Sequence, residues 1–171
     1  MPNKEVIVSI QPRWCERIAN GIKTIEVRKT APRLGETFKG YIYCTKSPNE
    51  ILALPCIGIP EYELLSKSPS NRKIGNSFII GTFTCNTIEK YVAVRDNVND
   101  KMEYKRAEGD TYVSTIDLSK LCLTQEQLKA YGGGRDLYGW QISNLTLYNE
   151  PKTIDFLGLR RPPQSWMYLY E

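Results

Sequence analysis

Three charges stand close together near the start of the chain: Lys23, Glu26 and Arg28, in Gly21-Ile-Lys-Thr-Ile-Glu-Val-Arg-Lys29. Ile25 and Val27 alternate with them. In an extended segment that alternation puts Ile25 and Val27 on one face and Thr24, Glu26 and Arg28 on the other. Lys23 follows the glycine, before the alternation is regular, so its direction is left open. A carboxylate and a guanidinium side by side can bind a ligand: the carboxylate accepts from an amino group or hydroxyl, the guanidinium donates to a carbonyl or phosphate. On an outward face the same pair is a surface ion pair of little energetic weight. A desolvated Lys23 would serve as a base or an anion ligand; a solvated one would only cover apolar surface with its stem.

The chain offers few other chemistries. It has no histidine, which removes the usual general base and triad partner. Its five cysteines are scattered without a Cys-x-x-Cys pair. Buried thiols are the expectation, with no metal and no cofactor. The net charge is +4, but it is unevenly placed: residues 1–46 hold nine Lys/Arg against four Asp/Glu. That excess suits a phosphate-bearing partner. No apolar run has the length of a membrane span or a signal peptide, so no membrane partner and a cytoplasmic location are expected.

The elements that must position these residues follow from periodicity. Glu5–Ile10 alternates as a strand. Pro12 suits the first turn of a helix, which runs to about Asn20 with Trp14, Cys15, Ile18 and Ala19 as its apolar stripe. Asn20-Gly21 ends it. Strands are expected at Thr24–Lys29 and Phe38–Thr45. Ser77–Val94 reads as one long strand or two that meet at a bend, and Leu137–Tyr148 and Ser165–Glu171 as further strands. Thr124 and Gln127 form a capping box for a helix ending near Tyr131. Residues 47–76 read as an excursion with one short helix, and residues 95–110 as a polar loop or mobile hairpin. Gly132-Gly133-Gly134 lacks the spacing of a dinucleotide fingerprint. The pattern favours an α+β chain: a single domain over 1–171, built as a small mixed β-barrel with flanking short helices.

The opening residues, Ser9-Ile10-Gln11-Pro12 followed by a helix and Gly21-Ile22-Lys23-Thr24-Ile25-Glu26-Val27-Arg28, resemble the ASCH family of the PUA-like superfamily. Gly40–Lys46, Tyr138–Ser143 and Arg161–Trp166 also look like this family, the last two like a bacterial and phage subgroup. The resemblance covers most of the chain and leaves 47–76 and 95–110 as insertions. It implies a PUA-like mixed barrel of roughly five to six strands with a cleft lined by the motif. It also implies an RNA- or nucleotide-binding module that holds a base, modified or not, or another nucleoside-like small ligand. Some small bacterial relatives are amidohydrolases of acetylated cytidine nucleosides, which makes that activity the alternative. Their lysine matches Lys23. Glu26 stands where they carry a nucleophilic threonine, Thr24 lies on the same strand face, and their later catalytic glutamate has no matching position. A third reading is a phage or bacterial regulatory protein acting through a protein partner, with the insertions as contact surfaces.

The expected binding residues are Ser9, Gln11, Lys23, Glu26, Arg28, Thr45, Lys46, Tyr138, Trp140, Arg161, Gln164 and Trp166. For an enzyme, Lys23, Glu26 and Thr24 are the catalytic set. Trp166, after Pro162-Pro163, is expected as a pocket wall with Tyr138 or Trp140, because a base stacks well on an aromatic ring. Trp14, on the helical stripe, is expected in the core. Arg33, Arg160 and Arg161 are expected to meet backbone phosphates.

Overall fold

A computed structural model of the chain describes residues 5–33, 37–54 and 73–170. Two five-stranded sheets dominate it. The first has the order β11-β6-β3-β1-β12 and the second β2-β10-β7-β8-β9. Their strands are β1 (Glu5–Ile10), β2 (Ile25–Arg28), β3 (Phe38–Cys44), β6 (Ile79–Cys85), β7 (Ile88–Arg95), β8 (Met102–Glu108), β9 (Tyr112–Ser114), β10 (Leu137–Gln141), β11 (Ser143–Lys152) and β12 (Trp166–Leu169). A small ladder joins β4 (Ala53–Leu54) to β5 (Lys73–Ile74). The helices are α1 (Pro12–Ala19), α2 (Leu118–Leu121) and α3 (Gln125–Gly132), with a 3-10 turn at Ile154–Leu157. The fold is thus mostly-sheet α+β. Apart from the β4–β5 ladder, the described strands divide between two sheets, and among the described residues neither of them is seen to close into the expected barrel. No helix among the described residues is long and apolar enough to cross a membrane.

Three apolar clusters define the layers. Val6, Val8, Ile10, Phe38, Ile42, Phe83 and Trp140 fill the space where the sheets face each other, and Cys15 and Ile18 of α1 join that core. Ile25 and Val27 pack with Tyr91, Tyr104, Leu121, Leu128 and Leu137 on the opposite side of the second sheet, under α2 and α3. Ile7, Tyr41, Tyr43 and Ile79 form a third cluster, with Ile154 and Leu157 of the 3-10 turn against it.

The first strand, the first helix and the capping box stand where alternation and capping chemistry put them. Pro12 opens α1, and Thr124 accepts from Gln127 N while the Gln127 side chain returns the bond to Thr124 N. The long strands divide. Ser77–Val94 becomes β6 and β7 and Leu137–Tyr148 becomes β10 and β11, each pair split between the two sheets. The second division falls at Ile142, whose N–H leaves the ladder and donates to Thr24 O (2.9 Å).

Of the two readings for residues 95–110, the hairpin is the one seen, and it is more regular than expected. The polar run carries β8, paired with both β7 and β9. It looks like a loop because most of β8 is half-exposed, with one buried aromatic residue, Tyr104. The Tyr104 hydroxyl donates to Arg135 O (2.7 Å) and accepts from Gly134 N (3.1 Å). The short α2 was not signalled by any periodicity, because one turn of helix is too short to show any. Of the 47–76 excursion, residues 55–72 lie outside the described residues, as does most of the span in which a helix was expected.

Candidate functional site

The second sheet explains why charges face inward. β2 pairs antiparallel with β10, and the register sets Glu26 opposite Trp140 and Arg28 opposite Tyr138. Directly opposed residues in such a pair share a face. Trp140 and Tyr138 belong to the core between the sheets, so Glu26 and Arg28 point into the same space. β2 is an edge strand of its sheet. There the apolar filling stops and a cavity of about 340 Å³ begins.

Lys23 is brought in by the helix ending. Asn20 caps α1, Gly21 takes a φ of +72°, and the N–H groups of Ile22 and Lys23 both donate to Arg17 O (2.9 and 3.1 Å). That reversal turns Lys23 inward. Its Nζ donates to Leu121 O, the last carbonyl of α2 (2.6 Å), lies 3.5 Å from Glu26 Oε2 and sits 5.3 Å from the Trp14 ring centroid. Glu26 Oε1 is 2.8 Å from Arg28 Nη2. Arg28 Nη2 also donates across to the other sheet, at Ser9 O (2.5 Å), and Nη1 donates to Ser165 Oγ (3.4 Å). Ser9 Oγ in turn donates to Pro163 O (2.6 Å).

The three charged residues are 3%, 5% and 8% exposed. Burying such groups costs several kcal/mol per ion before their mutual attraction offsets it, so a buried ion cluster is a poor device for stability alone. The cluster is also incomplete. It holds two cations against one carboxylate, and Arg28 Nε is buried without a hydrogen-bond partner. An acceptor oxygen or ring nitrogen from a ligand in the cavity would meet the surplus positive charge, although Nε itself is closed off from the cavity.

The cavity lining assembles seven of the expected residues: Ser9, Gln11, Lys23, Glu26, Arg28, Thr45 and Gln164. It leaves others out. Trp140 is fully buried, edge-on to Phe38 and Trp166 at 5.5 Å from each, so it is core and can stack no ligand. Trp166 packs on Trp140 and Tyr168, and its Nε1 donates to Thr30 Oγ1 (2.9 Å); it is not a wall of the cavity. Tyr138 packs against the core beside Trp140. Thr24 precedes β2 and serves through its backbone, donating to Lys120 O and accepting from Ile142 N, with no place on the lining. Lys46 is exposed next to Thr45, and Arg161 lies on a neighbouring depression.

The aromatic walls are instead Trp14 and Tyr131. Trp14, expected in the core, packs against it and lines the cavity as well. Tyr131 comes from the last turn of α3, and Lys29 Nζ lies 4.9 Å from its ring centroid. Burial is the main force pushing its phenol up from the ordinary value; Arg28 pulls it down and Glu26 pushes it up. Leu123 and Gln127 complete that side. Only the capping box hinted at this wall, by placing a helix there.

The fold resembles that of a solved ASCH protein. The solved structure of ASCH from Zymomonas mobilis superimposes with a TM-score of 0.59 at 17% identity, covering 98% of this chain and 89% of that one. Two single-substitution variants of the same protein superimpose with TM-scores of 0.57 and 0.56 at 18% identity. They cover 99% of this chain in both cases, and 92% and 90% of theirs. No protein-family model and no curated protein sequence matches the chain.

Proposed function

We propose that the chain is a binding module whose cavity holds a planar, nucleobase-like ligand, free as a nucleoside or carried in RNA. The observation that carries this is the ion cluster on the cavity floor: Lys23, Glu26 and Arg28, all buried, with two cations against one carboxylate. A base edge presents the matching pattern. An exocyclic amino group donates to Glu26, while a carbonyl oxygen or ring nitrogen accepts from Lys23 or Arg28. Trp14 and Tyr131 supply flat apolar surface of the kind that suits an unstacked base. The cavity volume is in the range of a small-ligand site.

Amide hydrolysis of an acylated nucleoside is the competing activity for the same cavity. It needs a nucleophile, and Glu26 is committed to Lys23 and Arg28 while Thr24 is off the lining. Titration of the natural and acetylated nucleosides into wild-type protein and Lys23→Met, followed by isothermal calorimetry, tests the reading. Binding by wild type and at least tenfold weaker binding by the variant is expected. Equal affinities would remove the cavity as the site, and acetate released at a rate abolished by Glu26→Gln would establish hydrolysis instead.

A further inference from the structure

The two glutamines in the first turn of α3 use their amides differently. Gln125 commits both ends to β8: its Oε1 accepts from Tyr104 N and its Nε2 donates to Tyr104 O, each at 2.8 Å. Gln127 commits one. Its Oε1 accepts from Thr124 N (2.9 Å), while its backbone N–H donates to Thr124 Oγ1 (3.1 Å), the reciprocal bonds of the capping box. Among the described residues Gln127 Nε2 has no partner.

A carboxamide presents an acceptor at one end and two donors at the other, and its partners decide which end points where. Here the choice is forced, because Thr124 N is a donor and only the amide oxygen can meet it. Thr124 lies on the rim of a neighbouring hollow of about 680 Å³, whereas Gln127 lines the cavity. With its oxygen held by Thr124, Gln127 has the two Nε2 hydrogens left for a ligand. Gln11 and Gln164 also line the cavity, but nothing among the described residues holds their amides, so either end can turn inward.

Gln127 thus adds a fixed donor to a cavity whose floor already carries two cations against one carboxylate. The fixed acceptors are few. Glu26 has one oxygen beside Lys23 and the other beside Arg28, and Ser9 Oγ gives its proton to Pro163 O.

We infer that Gln127 is a specificity-determining residue, and that the cavity selects a ring richer in acceptors than in donors: a carbonyl-bearing base over its amino counterpart. This rests on the base-binding reading of the cavity. Uridine and inosine carry a carbonyl where cytidine and adenosine carry an amino group, and the adjacent ring nitrogen gains an N–H that can donate to Glu26. The carbonyl accepts from the fixed donors. An amino group in its place sets donor against donor and leaves a hydrogen bond unmade. Gln127 is exposed at the lip, where water can meet an unused N–H, so the selection is about tenfold rather than the far larger factors of sealed sites.

The test separates the two ends of the amide. Gln127→Glu keeps an acceptor for Thr124 N and removes the donor, since glutamate serves a capping box as glutamine does. Gln127→Lys keeps a donor and removes the acceptor. Wild type and both variants are titrated by calorimetry with uridine, cytidine, inosine and adenosine, and unfolded in urea. Wild type is expected to bind the carbonyl-bearing member of each pair about tenfold more tightly. Gln127→Glu should erase that preference at an unchanged urea midpoint, and Gln127→Lys should keep the preference while the midpoint falls. Equal affinities within each pair for wild type, or a preference that survives Gln127→Glu, overturns the role of Gln127 and leaves the cavity reading intact. Loss of the preference in Gln127→Lys as well, in step with the midpoint, reduces Gln127 to scaffold and overturns it too. No nucleoside bound by wild type overturns the base-binding reading and this inference with it.

Discussion

Two charged clusters of this molecule use the same side chains in opposite settings. In the first, Lys23, Glu26 and Arg28 lie at the edge of the second sheet and face the first sheet. In the second, Arg106 of β8 joins Glu89 of β7 and Glu108, with Ser114 of β9 accepting from Arg106 and donating to Glu108. Both put an arginine between strands and near a carboxylate. The outer cluster has a surplus acid, its arginine flanked by two carboxylates, and it is largely open to solvent; the inner one is buried and has a surplus cation. Two carboxylates and exposure to solvent accommodate the outer arginine. The inner one has a positive charge left over and a cavity in front of it. The residue types are shared; solvent exclusion separates a surface network from a site.

The largest effect should come from removing the inner carboxylate. Glu26→Ala leaves Lys23 and Arg28 buried without a counter-charge, and a loss of about 3–5 kcal/mol is expected in urea unfolding. Lys23→Met is milder, because Glu26 keeps Arg28 as its partner and the methionine fills the space beside Trp14; about 1–3 kcal/mol is expected by the same measurement. Trp14→Ala sharpens the contrast from the ligand's side. It should weaken binding of a base by about 1–3 kcal/mol, read by calorimetry, whereas Trp140→Ala should act on the urea midpoint through the core.

The outer cluster has one buried member, Tyr91, whose hydroxyl donates to Glu89 Oε2 (2.8 Å). Tyr91→Phe should cost about 1 kcal/mol, the net worth of one hydrogen bond. Burial first, and the Glu89 bond and charge next, hold the Tyr91 phenol above its ordinary value of 10.0. A raised value means that this contribution to stability is complete below pH 10 and is lost as pH climbs through the folded-state value. The phenylalanine variant should lack that alkaline loss in unfolding curves taken over a pH series. Smallest of all, Arg106→Ala should leave the urea midpoint within error. A drop matching that of Glu26→Ala would erase the distinction between the clusters.

Much of the scaffold around the site was legible in residue order. Alternation gave β1 and the shared face of Glu26 and Arg28, Pro12 and Gly21 bounded α1, and Thr124 with Gln127 marked the start of α3. These are local effects, set by neighbours a few residues away. The assignment of strands to sheets was not legible. β6 and β7 run on without a glycine or proline between them, and only their partners reveal that they separate. β8 was hidden by its polarity, since a hairpin with one wet face resembles a loop.

The aromatic residues show the boundary most clearly. Trp14, Trp140 and Trp166 were equally visible as large flat side chains, and their roles came out exchanged: Trp14 lines the cavity while Trp140 and Trp166 pack together. Periodicity says which residues share a face, not what that face meets. By itself the sequence determined that Glu26 and Arg28 stand together and that a glycine turn precedes Lys23. Tertiary structure decided that the second sheet turns that face toward the first, that α2 offers its last carbonyl to Lys23, and that Trp14 and Tyr131 flank the opening. Those contacts join residues as far apart as Lys23 and Leu121, and burial is a property of such distant pairs rather than of any one stretch of chain.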